Sequence, residues 1–242
     1  MTIPTEYNVT DGLLGLGPDI LLEILSETKF IQNAVKFLGL CKKTLQLKNH
    51  SRFFQIIETL NIQFTIKNPD PESVTFEYVY GILSKANLNW SAERAIGIDP
   101  AITYGIYLFE IMYENLTDFN QGPGIVKASY TIPRYCPACG NNDNMICFNS
   151  HDGYICYKGQ WTKGNSKYSN GQIIGLELDK GKGTLHFFID SVQQPVFVCG
   201  INEPVQFYGH IYTGCASFTI ITFKKLPTAT SHILPNEKSI YW

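Results

Sequence analysis

The chain has 242 residues, 44% of them hydrophobic and 17% charged, with a formal net charge of −2. That length and apolar content allow a sizeable core and exclude a disordered chain. The near-neutral charge excludes a surface built to seek phosphates, so nucleic acid is not an expected partner. Fifteen Phe, 14 Tyr and 20 Gly lean toward β structure with many turns. No apolar run reaches bilayer-spanning length, so no membrane partner is expected. The first residues carry neither a basic nor an apolar stretch of the secretory kind, and the seven Cys are an odd number. Reduced thiols and an intracellular, cytoplasmic or nuclear location are the expectation.

The periodicity before about residue 68 is helical. Residues 1–15 read as a disordered or extended tail. Ile20, Leu21, Ile24 and Leu25 then fall on one face of a helix entered through Pro18 and Asp19. Ile31, Ala34, Val35 and Leu38 repeat the spacing in a second helix, with Gly39 as its stop. Phe53, Phe54, Ile56, Ile57 and Leu60 make a third, with Ser51 as a candidate N-cap. Such one-sided stripes must pack on each other or on a partner. Asn68-Pro69-Asp70-Pro71 disfavours helix, and sets the boundary between a helical segment at 16–67 and the domain that follows.

Beyond that break the period becomes two. Ile174, Leu176 and Leu178 alternate with Gly175, Glu177 and Asp179, and Leu185, Phe187 and Ile189 alternate with His186 and Phe188. The residues between these runs, 179–184, contain the glycines of a tight hairpin. Asp179 reads as a turn former through its side-chain oxygen, and His186 as solvent-facing. Short strands separated by Gly and Asn turns predict a mainly β fold, an antiparallel two-sheet sandwich over residues 68–226, followed by a C-terminal tail at 227–242.

The pieces of this region resemble a SPRY domain. Gly171-Gln172-Ile173-Ile174-Gly175-Leu176-Glu177-Leu178-Asp179 and Gly183-Thr184-Leu185-His186-Phe187 match its central hairpin. Tyr212 and Cys215-Ala216-Ser217 match a later strand entry, and Gly105-Ile106-Tyr107-Leu108-Phe109-Glu110-Ile111 an early strand. The resemblance implies a binding module without catalytic apparatus, holding a peptide segment of a target protein on loops at one end of the sandwich. It points to Tyr104, Tyr212, Thr213 and Gly214 as peptide-binding loop residues, where an aromatic ring supplies rigid contact area. The other reading of Tyr212 is packing on the sandwich edge. Trp90, near the early loops, has two readings: a place on the same surface, and, with more weight, the core.

Leu16-Gly17-Pro18-Asp19-Ile20-Leu21-Leu22-Glu23-Ile24-Leu25 and Leu38-Gly39-Leu40-Cys41-Lys42 resemble an F-box, with its proline displaced by one position. That resemblance implies docking of Ile20, Leu21, Ile24 and Leu25 on the adaptor of a cullin-type ubiquitin ligase, making the chain a substrate receptor. Two alternatives stand beside it: a SPRY interaction protein with no ubiquitin role, whose helices cap the sandwich, and a lectin-like carbohydrate binder.

Cys136-Pro137-Ala138-Cys139-Gly140 is the sharpest local motif. Its spacing lets two thiolates converge on a tetrahedral zinc, with Cys147, His151 and Cys156 as candidates to complete the set. The other reading makes Cys147 and Cys156 small buried thiols of strand-like runs. No cofactor beyond such a structural zinc is expected. The histidines carry no local nucleophile–base signature, so no enzymatic activity is expected.

Overall fold

The computed structural model describes residues 11–28, 31–60, 62–79, 83–90, 93–116, 121–135, 142–212 and 214–242. The chain divides into two compact units, Met1–Asn61 and Ile62–Trp242. The division precedes the proline-rich segment that the sequence offers as a boundary. Residues 68–71 are a corner inside the second unit. Asn68 Nδ2 donates to the Val74 carbonyl at 2.9 Å, and Asn68 Oδ1 accepts from the Asp70 amide at 3.0 Å. Asp70 is buried there and paired with Arg94 at 2.6 Å and Arg134 at 3.1 Å.

The first unit carries α1 (Pro18–Ser26), α2 (Ile31–Leu38), α3 (Lys42–Gln46) and α4 (Ser51–Leu60) among the described residues. Pro18 opens α1, where its missing N–H costs no intrahelical bond, and Asp19 sits at the positive end of the helix dipole. The short α3, absent from the periodicity, starts at a reciprocal cap between Cys41 and Thr44. α1 packs against α4 and α2 against α3. Leu21, Leu22, Leu25, Ala34, Leu38, Phe53 and Ile56 are buried. The side chains of Ile31, Val35, Ile57 and Leu60 lie outside the described residues. Gly12–Gly15 forms a 3-10 turn within what the sequence reads as tail.

The second unit is a two-sheet sandwich. The first sheet runs, in spatial order, β1 (Thr65–Lys67), β4 (Arg94–Ile102), β14 (Val205–Ile211), β6 (Gly122–Lys127), β7 (Met145–Phe148), β8 (Ile155–Tyr157) and β9 (Gln160–Thr162). The second runs β16 (Lys238–Tyr241), β13 (Val196–Cys199), β11 (Thr184–Ile189), β10 (Ile173–Asp179), β5 (Ile106–Glu114), β15 (Ser217–Leu226), β3 (Leu83–Leu88) and β2 (Val74–Val79). A short β12 (Val192–Gln193) pairs beside β11. Among the described strands, β13 and β16 pair in parallel and the other pairs are antiparallel.

The alternation read from the sequence places Ile174, Leu176, Leu178, Leu185 and Phe187 in the core between the sheets. Phe109 of β5 stacks on Phe207 of β14 with centroids 5.0 Å apart, and Phe223 of β15 meets both rings edge-on. The central strands of the first sheet are buried on both faces. Their outward positions, Ala95, Val126, Met145, Cys147, Cys156 and Tyr208, lie beneath Tyr130, Ile132 and Tyr154. Close backbone approach makes this possible at β6. A Cβ on Gly124 would stand 1.8 Å from the Ile146 carbonyl oxygen, so only glycine fits.

The β10–β11 turn forms as its residues predict, with Asp179 Oδ1 accepting from the Gly181 and Lys182 amides at 2.9 and 3.1 Å. His186 does not face open solvent. Its ring stacks on Phe197 at 4.9 Å, and burial pushes its imidazole below the ordinary value.

The segment beyond Leu226 is not a free tail. Glu177, on the outward face of β10, accepts hydrogen bonds from the Thr230 and Ser231 amides at 2.8 and 2.9 Å, and from the Thr230 hydroxyl. Farther on, β16 joins the sheet edge. Trp242 stacks on Tyr157 with centroids 5.1 Å apart, and its indole N–H donates to Glu203 Oε1 at 2.8 Å.

Candidate functional site

Strand register decides which loops share an end of the sandwich. Ile211 pairs with Arg94, His210 with Gly122, and Ser217 with Glu114. The loops that leave β3, β5 and β14 therefore meet at one end. Ile102 pairs with Val205, and Ile106 with both Leu226 and Asp179, which puts the β4–β5 turn and the β10–β11 turn at the other. Strand β4 spans about 26 Å between the ends at 3.3 Å per residue.

This register separates two residues that the sequence groups. Tyr104 is exposed in the β4–β5 turn, with Lys225 Nζ 4.8 Å from its ring centroid. It shares no surface with Tyr212, because the whole length of β4 lies between them. Trp90, read as core, is 68% exposed and stands at the Tyr212 end. Tyr212 and Gly214 are half-buried. Thr213 lies outside the described residues, as do Cys136 and Cys139.

The loop from Tyr212 to Ala216 is tied down on both sides. The Cys215 amide donates to the Leu88 carbonyl at 3.1 Å, and the Leu88 amide to the Ala216 carbonyl at 3.0 Å. Asn115 Nδ2 donates to the Cys215 carbonyl at 2.8 Å. Cys215 takes a φ of 71°, a left-handed conformation that costs a non-glycine residue and is held by these bonds.

Gln121, fully buried, joins this loop to the next. Its Oε1 accepts from the Tyr212 amide at 3.3 Å, and its carbonyl accepts from the Ser150 amide at 2.9 Å. Tyr168 completes the arrangement by donating its hydroxyl to the Phe148 carbonyl at 2.8 Å. Gly122 lets that ring in, since a Cβ there would lie 2.3 Å from the Tyr168 oxygen. Beside these residues opens a cavity of about 230 Å³, walled by Leu116, Ser150, His151, Lys167, Ser169 and Asn170, with Tyr168. Two polar atoms in this region, Gln121 Nε2 and Ser150 Oγ, are buried without a hydrogen-bond partner among the described residues. Sequence reading missed Gln121, Ser150 and Lys167. The Gln-Gly-Pro-Gly run at 121–124 was the available signal, since paired glycines in a strand mark close backbone approach.

The candidate zinc ligands among the described residues, Cys147, His151 and Cys156, form no cluster. Cys147 and Cys156 face each other on β7 and β8, fully buried on the covered outer face of the first sheet. His151 is exposed at the loop end, with its Nε2 3.8 Å from Asp152. Among the described residues no group of three or more His, Cys, Asp or Glu side chains is placed to hold a metal ion, and no helix is long and apolar enough to cross a membrane.

On α1 the predicted docking face divides. Leu21 and Leu25 are fully buried with Leu22, whereas Ile20 and Ile24 are 52% and 41% exposed. Leu21 and Leu25 are buried, which leaves Ile20 and Ile24 as the exposed part of that face.

No family model matches the chain, and no curated protein matches it. Solved structures do. The PSpry domain of TRIM65 aligns with a TM-score of 0.50 at 11% sequence identity, over 69% of this chain and 93% of that one. The SPRY domain of human HERC1 aligns with a TM-score of 0.51 at 12% identity, over 66% of this chain and 99% of that one. These likenesses lend no support to the F-box-like reading of residues 16–67. What they show, with the two sheets, antiparallel apart from the β13–β16 pair, and the small N-terminal helices, is the fold: a SPRY-type β-sandwich.

Proposed function

We propose that the chain is a protein-interaction module that holds a peptide segment of a target protein on the Trp90–Tyr212 end of its sandwich. The observation that carries this reading is the placement at one end of the sandwich of an exposed Trp90, the pinned Tyr212 loop and, beside the buried Gln121 that bonds both Tyr212 and Ser150, a preformed cavity. Loops held on a rigid scaffold bind with little ordering cost, and Trp and Tyr supply large contact areas. The module contributes affinity and selection rather than catalysis.

The helical unit extends the proposal. Ile20 and Ile24 stand exposed one turn apart on α1. That pair supports docking on an adaptor of a cullin-type ubiquitin ligase, with the sandwich as substrate receptor. A cytoplasmic or nuclear location agrees with the free thiols of Cys41, Cys199 and Cys215.

Selection of the full chain against a displayed peptide library tests the binding reading. Enrichment of a consensus, weakened about tenfold or more by Trp90→Ala or Tyr212→Ala, is the expected result. No enrichment, together with retention on a glycan array, would replace the peptide reading by the lectin-like one. Retention of peptides without capture of a cullin adaptor would leave a plain interaction protein.

A further inference from the structure

The cavity beside Gln121 has a chemical bias that the proposed peptide-binding role does not by itself require. Its side-chain polar groups are donors or neutral, and among the described residues no carboxylate lines it. Ser150 is 3% exposed, and its Oγ has no hydrogen-bond partner among the described residues. A buried hydroxyl left unmatched costs free energy that an arriving acceptor can recover. Asn170 uses its Oδ1 to accept from the Leu116 amide at 2.7 Å, which leaves its Nδ2 as a donor. Lys167 is exposed at the wall and forms no ion pair with a described carboxylate. Asp152 is not in the lining, and its carboxylate stands 3.8 Å from Nε2 of the lining residue His151.

These donors surround a space of about 230 Å³, room for roughly seven water molecules at about 30 Å³ each. An aspartate or glutamate side chain fits such a volume; a folded domain does not. Gln121 couples the space to the Tyr212 loop through its Oε1 and its carbonyl, so a group seated here belongs to the same bound segment.

We propose that this cavity seats the carboxylate of an acidic side chain of the bound peptide, with Ser150 Oγ and Asn170 Nδ2 donating to it and Lys167 supplying the opposite charge. The proposal rests on the peptide-binding reading of this end and adds its selectivity. The assignment makes Lys167 the determinant of charge preference and Ser150 a contributor to geometry.

A positional-scanning peptide library bound to the full chain tests it, with Lys167→Glu, Ser150→Ala and Tyr212→Ala alongside. Folding of each variant is verified by circular dichroism. One position should prefer Asp or Glu over Asn or Gln by about tenfold, the scale of a charge-assisted contact at a partly wet site. Lys167→Glu should turn that preference toward Lys and Arg. Ser150→Ala should reduce it by about threefold, the scale of one hydrogen bond. Tyr212→Ala should weaken retention at every position without changing the preference. Peptides retained with no acid preference, or with one that Lys167→Glu leaves intact, would overturn the carboxylate seat while leaving peptide binding standing. Stronger retention of phosphoserine at the same position would overturn the carboxylate in favour of phosphate. If no peptide is retained, peptide binding falls, and nuclear magnetic resonance titration decides the seat. Saturable shifts of the Ser150, Lys167 and Asn170 amides with N-acetyl-aspartate methylamide, absent with its asparagine counterpart, uphold it; equal or absent shifts overturn it.

Discussion

Replacing Glu177 by Ala should release the segment that follows Leu226 and lower the stability of the sandwich. The carboxylate accepts from two backbone amides at 2.8 and 2.9 Å and from the Thr230 hydroxyl. Hydrogen bonds to a charged acceptor contribute about 1.5–3 kcal/mol each, and bonds to one acceptor do not add fully. Thr230 is exposed, so its donors regain water once the carboxylate is gone. A net loss of about 3 kcal/mol follows, equivalent to roughly 6–12 °C in melting temperature for a domain of this size. The pH dependence gives a second reading. Burial raises the Glu177 carboxyl, but the bonds from Ser231 and Thr230 outweigh it and hold the group below its ordinary 4.5. A depressed carboxylate stabilises the fold above its unfolded value and loses that contribution as pH falls through the folded one. The gap between wild type and Glu177→Ala should therefore be full at pH 7 and close in acid, below 4.5. Calorimetry across pH measures the gap, and hydrogen exchange of residues 227–242 locates it. A drop of under about 2 °C at neutral pH, or a gap that does not close in acid, would refute the clamp.

Gly124→Ala should cost about 3 kcal/mol or more, because the added carbon meets a carbonyl oxygen at 1.8 Å; Gly171→Ala, with open space around it but a φ of 78°, should cost only about 1 kcal/mol. Equal denaturant midpoints for the two variants would remove the close-approach account of β6. Asp70→Asn leaves Arg94 facing a neutral partner and should cost about 2–3 kcal/mol, since Arg94 keeps its bond to the Glu93 carbonyl. Burial raises the Asp70 carboxyl, yet Ser73, Arg94 and Arg134 together lower it to about 2 from 3.8, so this advantage should be complete above pH 3.8 and vanish only near pH 2; a loss complete by pH 4 would contradict it. Ile20→Asp should change helical stability by no more than about 0.5 kcal/mol and abolish capture of a cullin adaptor, whereas Leu21→Asp should unfold the helical unit at a cost above about 3 kcal/mol. Adaptor capture that survives Ile20→Asp would sink the docking proposal.

The parts of the fold legible in the sequence are those whose signal is local. Ile174, Leu176, Leu178 and the paired Leu185 and Phe187 declare their strands because a period of two is written within a few residues. Pro18 and Asp19 mark the start of α1 in the same way. The burial of Leu22 was hidden because α1 is apolar at 20, 21, 22, 24 and 25, so the sequence leaves its inward side to be chosen by packing against α4. Tyr104 was grouped with the wrong end, and Trp90 weighted toward the core, for a related reason. Their end of the sandwich depends on pairing between β4 and β14, more than 100 residues apart in sequence. Gln121, Ser150 and Lys167 are ordinary polar residues of three separate loops, and only the fold makes them neighbours. Strand β16 is short and pairs in parallel with β13, a partnership with no turn between the strands to announce it.

Two of the places where the chain passes from one sheet to the other, at Tyr104 and at Tyr212, have a bearing on how the molecule is assembled. Neither β4 nor β5 can be completed by a local hairpin. β4 waits for β14, and β5 for β15, as in the bond between Ser217 and Glu114 across 103 residues of chain. Distant pairings of this kind make refolding slow, on the order of milliseconds to seconds. Until the chain beyond Pro204 is present, an inner edge of each sheet stays open and Phe109 lacks the ring that stacks on it. A fragment ending there, or a nascent chain paused there, would offer the open edges of β4 and β5 to any neighbour, and clumping rather than binding is the behaviour to expect of it.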